Sequence, residues 1–389
     1  MMKIEKEGHY DVIIVGAGSM GTAAGYFLTK QHQRVLMIDQ YAVPNRYGSH
    51  HGETRMLRFG YGQGEKYVTL VKAAYELWME LEKQTNKKLF YNTGALMVGA
   101  EDSEFVEESV NSSIKHHLPY IKLSAEEIMK RWPGMQIPDD YIGCYDPLSG
   151  FLLSEECVLA YKELAVENGA DIIENQKVQH LDIGENKVKV HTKTGTFTAS
   201  KLVITAGAWL SSMVEDLNIP FHVKRKVFGW FIPNEGDRYA YEHFPSVVFD
   251  TNKYGHFYGF PDFKGKGVKV GRHDQGELCE ADTVNRSFGA YQEDEAYLRN
   301  FLGSFLPEAN GELREGQVCM YSNTPDSDFV IDFHPEHDNV VLAGGFSGHG
   351  FKFASVVGSI LADLVTKEKT SHDISFFNLE RLKGINVIN

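Results

Sequence analysis

The chain has 389 residues, 42% of them apolar and 24% charged, with a formal net charge of −14. Its length suits two or three domains or one large domain with an insertion, and its composition excludes fibrous and disordered classes. The acidity argues against nucleic acid or an anionic membrane as partner, and no uncharged apolar run approaches the ~18 residues that span a bilayer.

The charges in Met1-Met2-Lys3-Ile4-Glu5-Lys6-Glu7 stand where a signal peptide needs its apolar core, so a cytoplasmic location is expected. Tyr10-Asp11-Val12-Ile13-Ile14-Val15 then has the β-branched, apolar character of a buried parallel strand. It runs into Gly16-Ala17-Gly18-Ser19-Met20-Gly21, a G-x-G-x-x-G, followed by Ala23, Ala24, Phe27 and Leu28 at helical spacing. A second strand, Arg34 to Ile38, ends in Asp39. The order meets the physical needs of a dinucleotide site. Gly16 permits the turn, Gly18 lets backbone approach a pyrophosphate, and Gly21 lets helix pack on strand. N–H groups opening the helix at Ser19 and Met20 meet the phosphate charge, and Asp39 can accept the ribose hydroxyls, which disfavours NADP. NAD and FAD share this fingerprint.

Val43 to Arg58 reads as polar loop and contains Ser49-His50-His51-Gly52-Glu53-Thr54-Arg55. Lys66 to Lys83 predicts an amphipathic helix through Val68, Val71, Ala74, Tyr75, Trp78 and Leu81. Strands are expected around Leu89–Val98, helix through Glu101–Arg131 until Trp132-Pro133-Gly134, and helix again over Ser154–Asn168. Lys201–Trp209 and Asn339–Gly345 are further buried-strand patterns ending in small residues, the second leading to a helix over Phe353–Leu364. Nucleotide-fold segments thus open, interrupt and close the chain, with aromatic-rich, strand-rich material between them.

That layout predicts an α/β plus α+β protein: a discontinuous Rossmann-type domain of the glutathione-reductase kind with an inserted antiparallel-sheet substrate domain. The divisions expected are 1–90, 151–220 and 325–389 for the cofactor domain, and 91–150 and 221–324 for the substrate domain. A simple NAD dehydrogenase usually keeps its nucleotide domain contiguous, so FAD is favoured. Cys144, Cys157, Cys279 and Cys319 form no C-x-x-C and no metal spacing with histidine. His50-His51 and His334-Pro335-Glu336-His337 lack further ligands, the latter reading as a loop between strands, so no metal is expected.

VIIVGAGSMG, SHHGETRMLR, KLVITAGAW, VCMYSNTPD (Val318–Asp326) and GFSGHGFKFA (Gly345–Ala354) resemble, in one order over the whole chain, the sarcosine oxidase/N-methyltryptophan oxidase family. Members hold FAD covalently and oxidise the N-methyl carbon of a secondary amino acid. Dioxygen re-oxidises the flavin to give hydrogen peroxide, and the imine hydrolyses to formaldehyde and the primary amino acid. The resemblance implies that Cys319 bonds the flavin 8α carbon as a thioether, with Tyr321 on the same strand face. It implies that Arg58 and Lys352 hold the substrate carboxylate, a need that charge-assisted hydrogen bonds meet for so small a ligand. Without it, Arg58 reads as a surface ion-pair residue and Lys352 as a loop lysine. Lys269, sharing a strand face with Gly271 and His273, becomes the cation that activates dioxygen. Tyr258, His273 and Gly348 join the substrate pocket, and His51, Thr54 and Arg55 lie near the flavin, where Arg55 favours its anionic reduced form. Gly207 and Gly345, in the later strand-end motifs, join the cofactor site.

The expected partners are a small secondary amino acid and dioxygen, with no obligate protein partner, and monomer is the family habit. Sarcosine is favoured over N-methyltryptophan because Phe249, in Val247-Val248-Phe249-Asp250, is expected to narrow the pocket and because SHHGETR is spelled as in sarcosine oxidases. Oxidation of another N-methyl amino acid is the further alternative within the family, and a flavin dehydrogenase that passes electrons to a carrier and a non-catalytic nucleotide sensor are the rival classes. No dedicated catalytic base is needed when the neutral amine is the reactive form.

Overall fold

The computed structural model describes residues 9–61, 64 and 66–384; the charged start Met1–Glu7 lies outside them. Five parallel strands form the centre of the first sheet, in the spatial order Asp171–Ile173, Val35–Ile38, His9–Val15, Gly195–Ile204 and His337–Gly344. Their continuous apolar runs follow from burial on both faces. On one face Val12, Ile14, Val35 and Met37 pack against the helices Ser19–Lys30, Lys66–Thr85, Ser154–Glu167 and Ala354–Lys367. On the other, Tyr10, Ile13, Leu36 and Ile38 share a core with Val188, Val190 and Leu210.

The second sheet is the inserted one. Strands His222–Phe231, Val268–Arg272, Gly255–Phe260, Ser246–Thr251, Ala95–Ala100, Tyr141–Asp146 and Ile121–Ser124 follow one another across it, and Leu313–Asn323 pairs with the first of these. It is antiparallel except where Ser246–Thr251 runs parallel to Ala95–Ala100. Alternation divides its residues between two faces. Phe249 and Phe257 pack on Phe301 and Phe305 of the helix Glu293–Phe305, while Val248 and Tyr258, paired across the strands, turn to the opposite side.

The expected α/β plus α+β architecture is the one found, with local differences. The segment expected to be helical from Glu101 to Arg131 is a helix Glu104–Lys115, a strand Ile121–Ser124 and a helix Ala125–Arg131. Ser124 and Glu127 form a reciprocal capping box that starts a new helix after the strand. The polar stretch before Arg58 also contains a short strand, Thr54–Leu57, paired with Gly150–Leu153. His334-Pro335-Glu336-His337 does join two antiparallel strands, Val330–His334 and His337–Gly344.

Candidate active site

The carboxyl ends of three parallel strands deliver Gly16, the Thr205–Gly207 turn and Gly345 to one cavity of about 1540 Å³. Ligands bind at this edge of an open α/β sheet, where helix N-termini and flexible turns converge. The same cavity is walled by Gly18, Ser19, Met20 and Asp39, and by Arg55, Arg58, Tyr258, His273, Cys319, Tyr321, Gly348 and Lys352. Sequence-distant motifs therefore meet on one surface. Gly21, His51, Thr54 and Lys269 do not line the cavity.

The glycine turn fits a phosphate-bearing group. No side chain caps the helix Ser19–Lys30, and its first turn carries no acidic residue. Its leading N–H groups are thus available to an anion. Asp39 fixes the turn: one carboxylate oxygen accepts the Ala17 N–H at 2.8 Å and the other the Tyr41 N–H at 2.9 Å. Each oxygen retains a lone pair for a ribose hydroxyl. Burial raises the Asp39 pKa against the pull of those two N–H bonds.

The segment from Ser49 to Arg55 is tied down from several directions. The Arg55 guanidinium donates to the carbonyls of Ser49 at 2.8 Å and Thr54 at 2.9 Å, and also to that of His51. The Ser49 hydroxyl donates to Met320 O at 2.7 Å, joining the segment to the strand that bears Cys319. Glu155 accepts the Gly52 N–H at 2.7 Å, the Glu53 N–H at 3.0 Å and the Ser154 hydroxyl at 2.8 Å. Burial alone would raise the Glu155 pKa, but the Ser154 bond, the Arg55 charge and the two N–H donors bring it below the usual value. His51 donates from Nδ1 to Gly48 O at 3.0 Å, and burial, then Arg55, pushes its pKa down to about 3.

Lys269 is almost wholly buried. Its ammonium donates to Gly52 O and, at 3.0 Å, to Thr54 O, and lies 4.8, 5.6 and 5.0 Å from the ring centroids of Phe228, Trp230 and Phe260. Burial and then the Arg55 charge lower its pKa, while the carbonyls and ring faces favour a cation there. Cys319 stands directly across from Lys226 in the strand pairing. Burial raises the thiol pKa, and Arg55, Lys226 and Lys269 oppose that rise. Tyr321 shares the Cys319 face, with its ring 5.6 Å from that of His273. Cys144, Cys157 and Cys279 are free, and burial raises the pKa of each.

Arg58 and Lys352 come together over one ring. The Arg58 guanidinium is 4.6 Å and the Lys352 ammonium 5.0 Å from the centroid of Tyr61, and both cations are buried. Lys352 donates to Tyr61 Oη at 3.2 Å and to His349 O at 2.9 Å. Burial, and then the charge of Arg58, lowers the Lys352 pKa. An anion between them relieves that repulsion and gains charge-assisted hydrogen bonds.

Phe249 corrects the sequence reading. It is fully buried in the core against Phe301 and Phe305, so it does not narrow the cavity; Val248, one residue earlier, lines it. Sequence reasoning also passed over Glu155, Tyr61, His349 and Trp78, whose indole N–H donates to Lys352 O at 2.8 Å. Glu155, Tyr61 and Trp78 bond groups far off in sequence, and His349, though it lies within the GFSGHGFKFA motif, takes its part from Tyr61 288 residues away. Among the described residues, no group of three or more His, Cys, Asp or Glu is placed to hold a metal ion.

The profile of the FAD dependent oxidoreductases matches residues 11–364. A monomeric sarcosine oxidase from Bacillus sp. (strain NS-129) is 47% identical over 96% of this chain and 97% of its own length. An N-methyl-L-tryptophan oxidase from Salmonella agona (strain SL483) is 40% identical over 96% and 99%. Among solved structures, a variant of NikD, an unusual amino acid oxidase, superposes with a TM-score of 0.87 at 22% identity, over 96% of this chain and 97% of that one.

Proposed function

The chain belongs to the FAD dependent oxidoreductases, in the group of the sarcosine and N-methyl-L-tryptophan oxidases, and from that premise we propose that it demethylates sarcosine. The reaction is sarcosine plus dioxygen plus water to glycine, formaldehyde and hydrogen peroxide. The observation that carries this reading is the pair of buried cations, Arg58 and Lys352, on the wall of the cavity that also holds the glycine turn and Cys319. The greater identity to sarcosine oxidases than to N-methyl-L-tryptophan oxidases supports the choice of substrate.

FAD, when bound, supplies the two-electron acceptor and passes those electrons to dioxygen. Gly16, Gly18, Ser19, Met20, Asp39, Gly207 and Gly345 would hold its nucleotide part, Gly21 would let the helix pack close enough to present them, and the Cys319 thiol would bond its 8α carbon. The protein's own work is orientation and electrostatics. Arg58 and Lys352 fix the substrate carboxylate, which orients the N-methyl group. Tyr258, Tyr321 and Gly348 shape the surface beside it. His273, its pKa pushed down to about 3 by burial and then by Lys226, stays neutral at physiological pH. A neutral ring adds no full positive charge that would disfavour protonated amine, so deprotonation is left to pH and to the other cations. The neutral amine is the reactive form because its lone pair stabilises the developing iminium. Lys269 would provide a fixed cation where dioxygen takes up negative charge, and Arg55, with His51 and Thr54 beside it, would place positive charge next to the cofactor as it gains electrons. Action as a cytoplasmic monomer belongs to the same proposal.

Peroxide release by the purified protein tests it, with sarcosine and N-methyl-tryptophan compared at matched concentrations. Strong release with sarcosine alone is expected. A preference for N-methyl-tryptophan would overturn the substrate and keep the oxidase; no peroxide from either would overturn the oxidase reading.

A further inference from the structure

We propose that Tyr61 and His349 are positioning residues for the substrate, joined in a hydrogen-bonded chain that holds the Lys352 ammonium with one N–H left for the carboxylate. The inference rests on the reading that Lys352 binds that carboxylate. The chain of bonds is directional. His349 Nε2 lies 3.0 Å from Ser327 O, and a carbonyl only accepts, so Nε2 carries the proton. Burial, then the neighbouring Lys352 charge, keeps the ring neutral, which leaves Nδ1 as an acceptor. Nδ1 lies 2.7 Å from Tyr61 Oη, so the tyrosine donates its proton to the imidazole. With that proton committed, Tyr61 Oη turns its lone pairs to Lys352 Nζ at 3.2 Å. The second N–H of Lys352 goes to His349 O at 2.9 Å. An ammonium has three donors, and the third remains on a side chain that lines the cavity.

The frame around this chain is rigid. Tyr61 is fully buried, with Tyr67 and Phe353 rings packed 5.0 and 5.8 Å from its own. The Trp78 indole N–H holds the backbone carbonyl of Lys352. The two ends of the relay lie 288 residues apart in sequence, so only the fold creates it.

A double-mutant cycle on the flavin-loaded enzyme tests the assignment, with KM and kcat read from peroxide release on sarcosine. Tyr61→Phe is expected to raise KM about tenfold while kcat changes by less than about twofold, the loss of one hydrogen bond to a charged group. Lys352→Met raises KM by itself, and Tyr61→Phe added to it changes KM by less than about twofold. A full tenfold effect of Tyr61→Phe in the Lys352→Met background, or none in the wild type, would overturn the relay while leaving the carboxylate reading intact. An unchanged KM for Lys352→Met would instead overturn the carboxylate reading and the relay with it. A second pair guards against misfolding of the tyrosine variant. His349→Asn keeps an acceptor where Nδ1 stands and should hold KM within about threefold, whereas His349→Leu reproduces the Tyr61→Phe increase. Equal KM for the two histidine variants would overturn the proposal.

Discussion

Two glycines of the same turn are required for different reasons, and alanine substitutions separate them. Gly18 has φ −74° and ψ −155°, extended backbone outside the left-handed region that favours glycine. A Cβ there meets nothing nearer than His50 Nδ1 at 3.6 Å and projects where the turn faces the cavity. Gly18→Ala should therefore leave the apoprotein stable to within about 1 kcal/mol, the scale of a helix-cap change, and weaken cofactor binding by holding phosphate oxygens away from the N–H groups. Each charge-assisted hydrogen bond lost costs about 1.5–3 kcal/mol, or roughly 10- to 150-fold in Kd. Gly21 is the opposite case. A Cβ there would lie 2.0 Å from Gly16 O and 2.8 Å from Thr205 Oγ1, so helix and strand must part. Gly21→Ala should destabilise the apoprotein itself by about 1–3 kcal/mol. The assay is FAD titration by fluorescence quenching, in a Cys319→Ser background so that binding is reversible, beside urea unfolding of the apoprotein. Wild-type FAD affinity in Gly18→Ala would refute the close approach of phosphate to this turn.

Acid-precipitated wild-type protein should stay yellow, and Cys319→Ser should release its flavin to the supernatant; release from the wild type would rule out the thioether. Lys269→Met should slow re-oxidation by dioxygen more than tenfold and change anaerobic reduction by sarcosine less than about twofold, and equal loss in both half-reactions would remove its assigned role. His273 affects stability through its proton. With its folded pKa pushed down to about 3 by burial and Lys226, against ~6.5 unfolded, it contributes stability above pH 6.5 that is lost as pH falls towards 3. Between pH 7 and pH 5 that loss is about 2 kcal/mol, and urea unfolding of His273→Gln should show a correspondingly flatter pH dependence. Finally, kcat/KM should rise with pH until the amine is deprotonated; a flat profile between pH 6 and 9 would contradict the neutral-amine requirement.

What could be read along the chain depended on the range of the interaction behind it. The strand, glycine turn, helix, second strand and Asp39 lie within 30 residues of one another and specify each other locally, so their order carried its meaning before any fold was known. Cys319 and Lys352 carry no such local mark and stood out through the family motifs that contain them, and Lys269 stood out through the family resemblance alone. The failure at Phe249 has a definite cause. Val248 and Phe249 are both apolar, so the alternation that separates the two faces of a strand gave no sign of which one met solvent or cofactor. The helix Glu293–Phe305 decided it by supplying Phe301 and Phe305 as partners. Glu155 and the Tyr61–His349 pair were hidden more deeply, since an acid in a first helical turn, a tyrosine after a polar loop and a histidine between glycines each have an ordinary local explanation. Their meaning is relational. Glu155 needs the bare N–H groups of Gly52 and Glu53, and Tyr61 needs an imidazole whose tautomer Ser327 has already set. The electrostatic machinery of this site is therefore least visible in sequence where it is most cooperative, because each group takes its role from a partner that only the folded chain brings near.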